Sequence, residues 1–404
     1  MQTLSAFYES IFGCKTYKIS LDAGCTCPNR DGTKGRGGCI FCSEAGSGDF
    51  IARGGESAFG SCLSISEQLE QGKKLVEAKL RGRSGERQGK YIAYFQSFTS
   101  TYGDAAELLA KYHEALGCEG VAGLAVATRP DCLGNEILRG LAEISQSHFV
   151  QIELGLQTSN EKTGQLINRC YTNEDYIDAV RRIREVAPEI HKVTHLIFGL
   201  PGESEEDMLN SVRFVVKTMD SQVKPGNDND MSLPDMNDMS LPDMNDMPLP
   251  DMNDLSLPDL QDMSLPDLQD MSLPGLTNMP LPGMNDLSLP GMNDMPLTGL
   301  QDMSLPALTG QSFFGLKITS LYILKNTRLA TLYESDEYEP LTKEQYFALL
   351  QKALPLLPEA CVVHRLTGDP PKSQLLAPVW TTDKKRVLND LLTLLKSHYI
   401  ILLL

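Results

Sequence analysis

Hydrophobic positions fall into three regimes along this 404-residue chain. Up to about residue 220, short apolar runs alternate with stretches whose apolar positions recur every three or four residues. The runs KTYKISL (15–21), YIAYFQ (91–96), VAGLAVAT (121–128), FVQIELGL (149–156) and VTHLIFGL (193–200) read as strands. They are short and rich in β-branched and aromatic residues, as strands buried on both faces are. The patterns between them predict helices over 65–80, 104–117, 135–145, 174–186 and 204–218. Such alternation predicts a parallel sheet with helices outside it. A sixth strand, LKITSLYIL (316–324), follows a long interruption, and helices near 343–354 and 384–396 complete a smaller C-terminal portion. Six such units suit a partial or a full (βα) barrel; the expected fold class is α/β, a (βα)6-type partial TIM barrel with a small C-terminal α/β extension. Ligands of such sheets bind at the C-terminal ends of the strands.

The interruption has its own periodicity. From Met231 to Gly310 an octapeptide recurs ten times, from MSLPDMND to MSLPALTG. It contains thirteen of the sixteen methionines and no aromatic residue. A proline in every octad, at the fourth position in all but one, excludes regular helix, because it lacks the N–H and clashes with the preceding turn. A short-period solenoid is one reading of such a repeat. The other is a tandem duplication grown within a loop, extended or disordered because it has little to pack. The expected division is 1–224 barrel core, 225–311 repeat insertion, and 312–404 last barrel strand with a C-terminal domain.

The repeat changes how the charge is read. The net charge of −17 is concentrated there: residues 225–311 hold fifteen Asp and no Lys, Arg or Glu. The remainder has 38 acidic against 36 basic residues, a balance that points neither toward nor away from nucleic acid. The N-terminal residues do not read as a signal peptide, and no run approaches the ~20 apolar residues of a membrane span. A cytoplasmic location is therefore expected, where clustered cysteines bind metal or do redox work more often than they form structural disulfides.

Candidate chemistry centres on GCTCPNRDGTKGRGGCIFC (24–42), on the loop after the first strand. Cys39 and Cys42 form a CxxC, and Cys27 lies twelve residues before it. Three thiolates could serve zinc with a fourth ligand, or an iron–sulfur cluster. A thioredoxin-like redox pair is a third reading, but it leaves Cys27 and the glycine-rich approach unexplained. Cys25 is one residue from Cys27, poor spacing for two ligands of one tetrahedral ion.

CPNRDGTKGRGGCIFC resembles the cluster loop of the YhcC-like radical SAM proteins, an Elp3-related family with longer spacing than the common Cys-x3-Cys-x2-Cys. The resemblance extends to YFQSFTSTY (94–102), ATRPDCL (127–133), ELGLQT (153–158), Asn168-Arg169, HLIFGLPGE (195–203) and HRLTGDPPKSQLLAPVW (364–380). It implies that Cys27, Cys39 and Cys42 hold a [4Fe–4S] cluster with one iron open to S-adenosylmethionine. It further implies reductive cleavage of that cofactor to a 5′-deoxyadenosyl radical, which acts on a substrate the sequence does not name. An electron donor such as flavodoxin or ferredoxin is implied, and RNA is a substrate by analogy only.

The same resemblance suggests contacts for S-adenosylmethionine. Phe41 precedes the last ligand, where an aromatic residue meets adenine. Gln96, Thr128 and Gln157 close the second, third and fourth strands. Arg169 fits a carboxylate clamp, and His195 opens HLIFGLPGE. RGGE (53–56) precedes the second strand and is discounted as the motif that binds the methionine amine. The chain departs from the family at Cys170 and Tyr171, where Gly-His is usual, and at Thr319, where His is common. These departures bear on substrate processing more than on cluster or cofactor binding.

Overall fold

The computed structural model describes residues 1–48, 51, 63–80, 89–220 and 313–397. The octapeptide repeat and RGGE lie outside the described residues. β1 (Gln2–Thr3) leads into α1 (Leu4–Phe12), and β2 (Thr16–Leu21) begins the alternation. There follow α2 (Ile65–Leu80), β3 (Lys90–Phe95), α3 (Ala105–Leu116), β4 (Val121–Thr128), α4 (Asn135–Ser145) and β5 (Phe149–Gln157). Then come α5 (Glu161–Leu166), α6 (Asn173–Val186), β6 (His191–Phe198) and α7 (Glu205–Met219). Beyond the repeat lie β7 (Phe314–Ser320), β8 (Ile323–Leu324), α8 (Arg328–Glu334), α9 (Lys343–Ala353), β9 (Cys361–Arg365), β10 (Leu375–Ala377) and α10 (Lys384–Ser397).

The strands make one eight-stranded parallel sheet in the order β1-β9-β7-β6-β5-β4-β3-β2. The six strands expected from the sequence run consecutively from β2 to β7. Two more extend the sheet: β9 pairs with β7, and β1 pairs with β9. β8 and β10 form a separate antiparallel pair. Local signals start the helices where the sequence places them. Thr172 and Asp175 form a capping box on α6, and Ser204 with Asp207 forms one on α7. Each pair satisfies N–H groups that the first helical turn leaves open.

Alternation along the strands divides the core in two. Leu124, Val126, Ile152, Leu154, Leu196 and Leu316 pack outward against the helices. The opposite face is concave. Lys18 on β2 reaches Glu153 on β5 at 2.5 Å, although a flat sheet would hold those strands about 14 Å apart. The sheet is therefore curled into part of a barrel. Helix α1 closes its lower end: Phe7, Tyr8 and Phe12 pack on Phe149 with ring centroids 5.6–6.2 Å apart, and Phe7 lies 4.5 Å from the His191 ring. Phe149 and His191 begin their strands, so the plug sits at the N-terminal mouth.

No helix among the described residues is long and apolar enough to cross a membrane. α1, α5, α8 and β9 were not anticipated. The first three are nine residues or fewer, too short for periodicity to register.

Candidate radical SAM site

The cysteine loop leaves β2 and is tied down by its own backbone. Lys34 N–H and Gly35 N–H donate to Pro28 O, Gly38 N–H donates to Asn29 O, and Ile40 is bonded to Ile167 through its N–H and to Leu329 through its carbonyl. Gly35 must be glycine: a Cβ there would lie 2.2 Å from Asn29 Oδ1 and 3.0 Å from Cys170 Sγ. The CxxC turn is closed by Cys42 N–H donating to Cys39 O. Arg30 holds the far side, donating to Cys42 O and Ser43 O, with its guanidinium over the Phe98 ring.

All described cysteines are free thiols. Cys39 is pushed up to about 12, first by burial and then by neighbouring Cys42 and Cys27, so both of those sulfurs lie within electrostatic reach of Cys39. Arg129 Nη1 approaches Cys27 Sγ at 3.9 Å, and Asn29 Nδ2 approaches Cys39 Sγ at 3.8 Å. Among the described residues no set of three or more His, Cys, Asp or Glu side chains closes around a single metal ion. A cluster with one thiolate per iron takes more widely separated donors than one zinc ion does. Three unbridged thiols on one loop, two of them approached by N–H donors, fit such a cluster. Cys25 stands apart: burial pushes it up to about 11, and its charged neighbours are Lys111 and Asp22 rather than the other cysteines.

A cavity of about 80 Å³ opens beside this loop, lined by Phe41, Cys42, Ser47, His195, Thr319 and Tyr322 among others. It joins two of the sequence candidates, Phe41 and His195, to a cysteine of the loop. His195 Nε2 and Thr319 Oγ1 are hydrogen-bonded at 2.9 Å on its floor, so the departure at Thr319 falls within the site. Burial, then Lys317, holds the His195 imidazolium well below its ordinary range, and the ring is neutral.

Gln157 ends β5 at φ +70°, a costly conformation for a residue with a side chain. Its side-chain amide folds back over Gly155, where a Cβ would meet Nε2 at 2.7 Å, and its buried Oε1 has no hydrogen-bond partner. Ser47, Phe98, Asn168 and Cys170 also have positive φ, so most of this backbone strain gathers at the loops around the strand ends. Gln96, half-buried, follows β3 and its N–H donates to Leu21 O.

Two candidates are placed differently from the roles the resemblance implied. Thr128 shares the helix-facing side of β4 with Leu124 and Val126, and its hydroxyl meets Thr101 Oγ1 at 2.6 Å. Arg169 is fully buried, and all five of its donors are engaged. Nε donates to Tyr171 O, Nη1 to Leu156 O and Thr158 O, and Nη2 to Glu161 and Asn173. No fork is left for a ligand carboxylate. Tyr171 lies between Arg169 and Arg129, each guanidinium about 4.7–4.8 Å from its ring centre, and its hydroxyl donates to Gly155 O.

The sequence reading missed residues below the cavity. Glu153 accepts from Lys18 at 2.5 Å, from Tyr94 at 2.6 Å and from Gln151 at 2.7 Å, and Lys317 stands 3.5 Å away. Burial alone would raise this carboxyl, but Lys18 and Lys317 hold it well below the carboxylate range. A charge embedded in each apolar run, Lys18 in KTYKISL, Glu153 in FVQIELGL and Lys317 in LKITSLYIL, was the available signal.

With this geometry in place, comparison with known proteins is decisive. Residues 30–215 match the radical SAM superfamily, and residues 314–397 match the radical SAM C-terminal domain. The chain belongs to the radical SAM superfamily. Cys39 and Cys42 lie inside the first match, and Cys27 lies three residues before it. The radical SAM C-terminal match begins at β7 and supplies β9, so both matched regions build one sheet. The uncharacterized protein YtqA of Bacillus subtilis is 38% identical over 213 residues, 53% of this chain and 62% of the relative. Protein YhcC of Escherichia coli is 38% identical over 208 residues, 51% of this chain and 61% of the relative. The chain thus spans about three fifths of the length of the curated relatives it matches. Among solved structures, Methanocaldococcus infernus Elp3 with an N-terminal deletion is similar at 12% identity and a TM-score of 0.47, over 89% of this chain and 58% of that one. Radical SAM proteins use a [4Fe–4S] cluster and S-adenosylmethionine, and their enzymes require an electron donor and a substrate.

Glu203, at the end of the GLPGE turn, gives a pH test of this framework. Burial raises it to about 7, against a hydrogen bond from Thr158 that favours the anion. Its unfolded value is the ordinary 4.5, so between these values the folded chain holds the extra proton. Stability should fall as pH rises from about 4.5 to 7, by about 2–3 kcal/mol. Denaturant unfolding at pH 5 and pH 8 should show this drop, and Glu203→Gln should remove it; an equal drop in the variant would assign it to another group.

Proposed function

We propose that this chain is a cytoplasmic radical S-adenosylmethionine enzyme whose [4Fe–4S] cluster is held by Cys27, Cys39 and Cys42. The observation that carries the reading is the cavity of Phe41, Cys42, His195 and Thr319 at the C-terminal end of a curled parallel sheet, with Cys42 in its wall and Cys39 and Cys27 on the same loop. The bound cluster would supply one-electron reductive cleavage of S-adenosylmethionine. Phe41 offers a ring edge and backbone to adenine. Gln157, with its buried unpartnered Oε1, offers an acceptor for a ribose hydroxyl, and Gln96 reaches the same mouth from β3. His195, neutral and fixed by Thr319, orients a ligand without adding charge. Asn29 and Arg129 point N–H groups at two of the thiols, and hydrogen bonds to cluster sulfurs raise reduction potential. Thr128 and Arg169 support the loops.

The donor we expect is a flavodoxin or ferredoxin; RNA as substrate rests on analogy with Elp3-related proteins alone. The reading is tested with anaerobically purified protein. Iron and sulfide should be present in about equal amounts, and reduction with S-adenosylmethionine should release 5′-deoxyadenosine. Zinc in place of iron, or a reduced cluster that leaves S-adenosylmethionine intact, would sink it.

The repeat sits between α7 and β7, which belong to one β6–β7 crossover. We propose that it is an insertion outside the catalytic fold. Replacing residues 227–310 by a linker of about fifteen residues should then leave cluster content and cofactor cleavage nearly unchanged. Stability should rise by about 1.5 kcal/mol, because closure entropy grows with the logarithm of loop length. Aggregation of the shortened chain, or protection of repeat amides from hydrogen exchange in the intact one, would favour a folded solenoid instead.

A further inference from the structure

Beneath the His195–Thr319 pair the concave face is charged, and its charges do not balance. Lys18 and Lys317 both face Glu153, whose side chain is 4% exposed. Three of the carboxylate's roughly four acceptor sites are taken at short range by Lys18, Tyr94 and Gln151. Lys317 is the loosest partner at 3.5 Å, and burial, opposed by Glu153 and reinforced by Arg365, lowers its ammonium to about 8. Arg365 is a further cation and does not offset the excess: the Asp369 carboxylate it meets at 2.9 Å is shared with Lys384 at 2.7 Å. Two lysines against one carboxylate leave about one positive charge in excess on a low-dielectric wall. The lysine side chains retain 17% and 16% exposure, so water still reaches them. Uncompensated buried charge is costly, and a structural layer would be served by one lysine.

We propose that this layer receives the anionic oxygen group, carboxylate or phosphate, of a small organic substrate, with Lys317 as its principal contact. The proposal deepens the radical S-adenosylmethionine reading and rests on it for what happens above the layer. Lys317 precedes Thr319 by two residues on β7, which places it about 6.6 Å deeper along the strand. The anion therefore binds below the cavity beside Cys42, and the carbon that reacts lies roughly that far from it. Closure of the lower mouth by α1 limits the ligand to short molecules bound end-on. A folded RNA does not fit that description.

The test uses the cluster-loaded full chain and titration calorimetry at constant ionic strength. Succinate and glycerol 3-phosphate are the probes, with succinamide and glycerol as their uncharged counterparts. One of the anions should bind while its counterpart does not, and which one binds separates carboxylate from phosphate. Lys317→Gln should weaken that binding about tenfold or more, Lys317→Arg should recover part of it, and exposed Lys372→Gln should change nothing. In the unmodified chain the bound anion should protect Lys317, but not Lys372, from reductive methylation read by mass spectrometry. Equal binding by Lys317→Gln, equal methylation with and without the anion, or no preference for either anion over its counterpart overturns the proposal. Iron content and 5′-deoxyadenosine release are measured on the same preparation. If they are normal and no anion binds, the lumen proposal alone fails; if they are absent and the anion binds, the cofactor reading alone fails.

Discussion

Changing Cys27, Cys39 or Cys42 to Ala should each reduce iron–sulfur absorption and 5′-deoxyadenosine release to background. Cys25→Ala and Cys170→Ala should retain both. The contrast follows from placement. The first three sulfurs share one electrostatic neighbourhood with Arg129 and Asn29 beside it. Cys25 packs against the core, and Cys170 is exposed, with its thiol directed at Asn29 Oδ1 and Asn168 Oδ1. A cluster needs an anionic ligand on each protein-bound iron, so losing one thiolate is not made good by a neighbour. Measured iron, sulfide and visible spectra of the five variants decide the matter. A cluster that survives in Cys27→Ala but is lost in Cys25→Ala would move the ligand set.

Arg169→Met should chiefly destabilise the fold. The side chain is 0% exposed and its donors hold Leu156 O, Thr158 O and Tyr171 O. The first two carbonyls lie where β5 turns into the loop before α5, and the third lies between α5 and α6. Its removal strands buried acceptors and leaves Glu161 without its partner, at a cost of about 3–5 kcal/mol. Denaturant unfolding should show that loss. If the variant kept its stability and lost only S-adenosylmethionine affinity, Arg169 would be the carboxylate clamp that the resemblance implied.

That residue shows where sequence reading stopped. The strand–helix alternation was legible because each of the five strands before the repeat is a dense apolar run between helical patterns, and the observed strands begin or end within two residues of the expected ones. The cysteine spacing was legible because it is local. The direction of a guanidinium is not local: it depends on carbonyls from residues 156, 158 and 171, which only the folded loops bring together. Lys18, Glu153 and Lys317 were passed over for a related reason. One charge per strand looks incidental until curvature brings three strands to a common point. β9, five residues of CVVHR, carries no periodicity long enough to separate it from a loop.

The aromatic plug of α1 bears on the order of events during turnover. Among the described residues Phe7, Tyr8 and Phe12 stop the lower end of the half-barrel, and the cysteine loop stands at the opposite end. Whatever reaches the lysine layer passes the place where S-adenosylmethionine is expected to sit, and its product leaves by the same route. Under the two proposals made above, traffic of that kind would be sequential: the small ligand would load first, the cofactor would cover it, and a cofactor bound too early would turn the chamber away from its own substrate. Steady-state kinetics would then show inhibition by excess S-adenosylmethionine that rising substrate relieves.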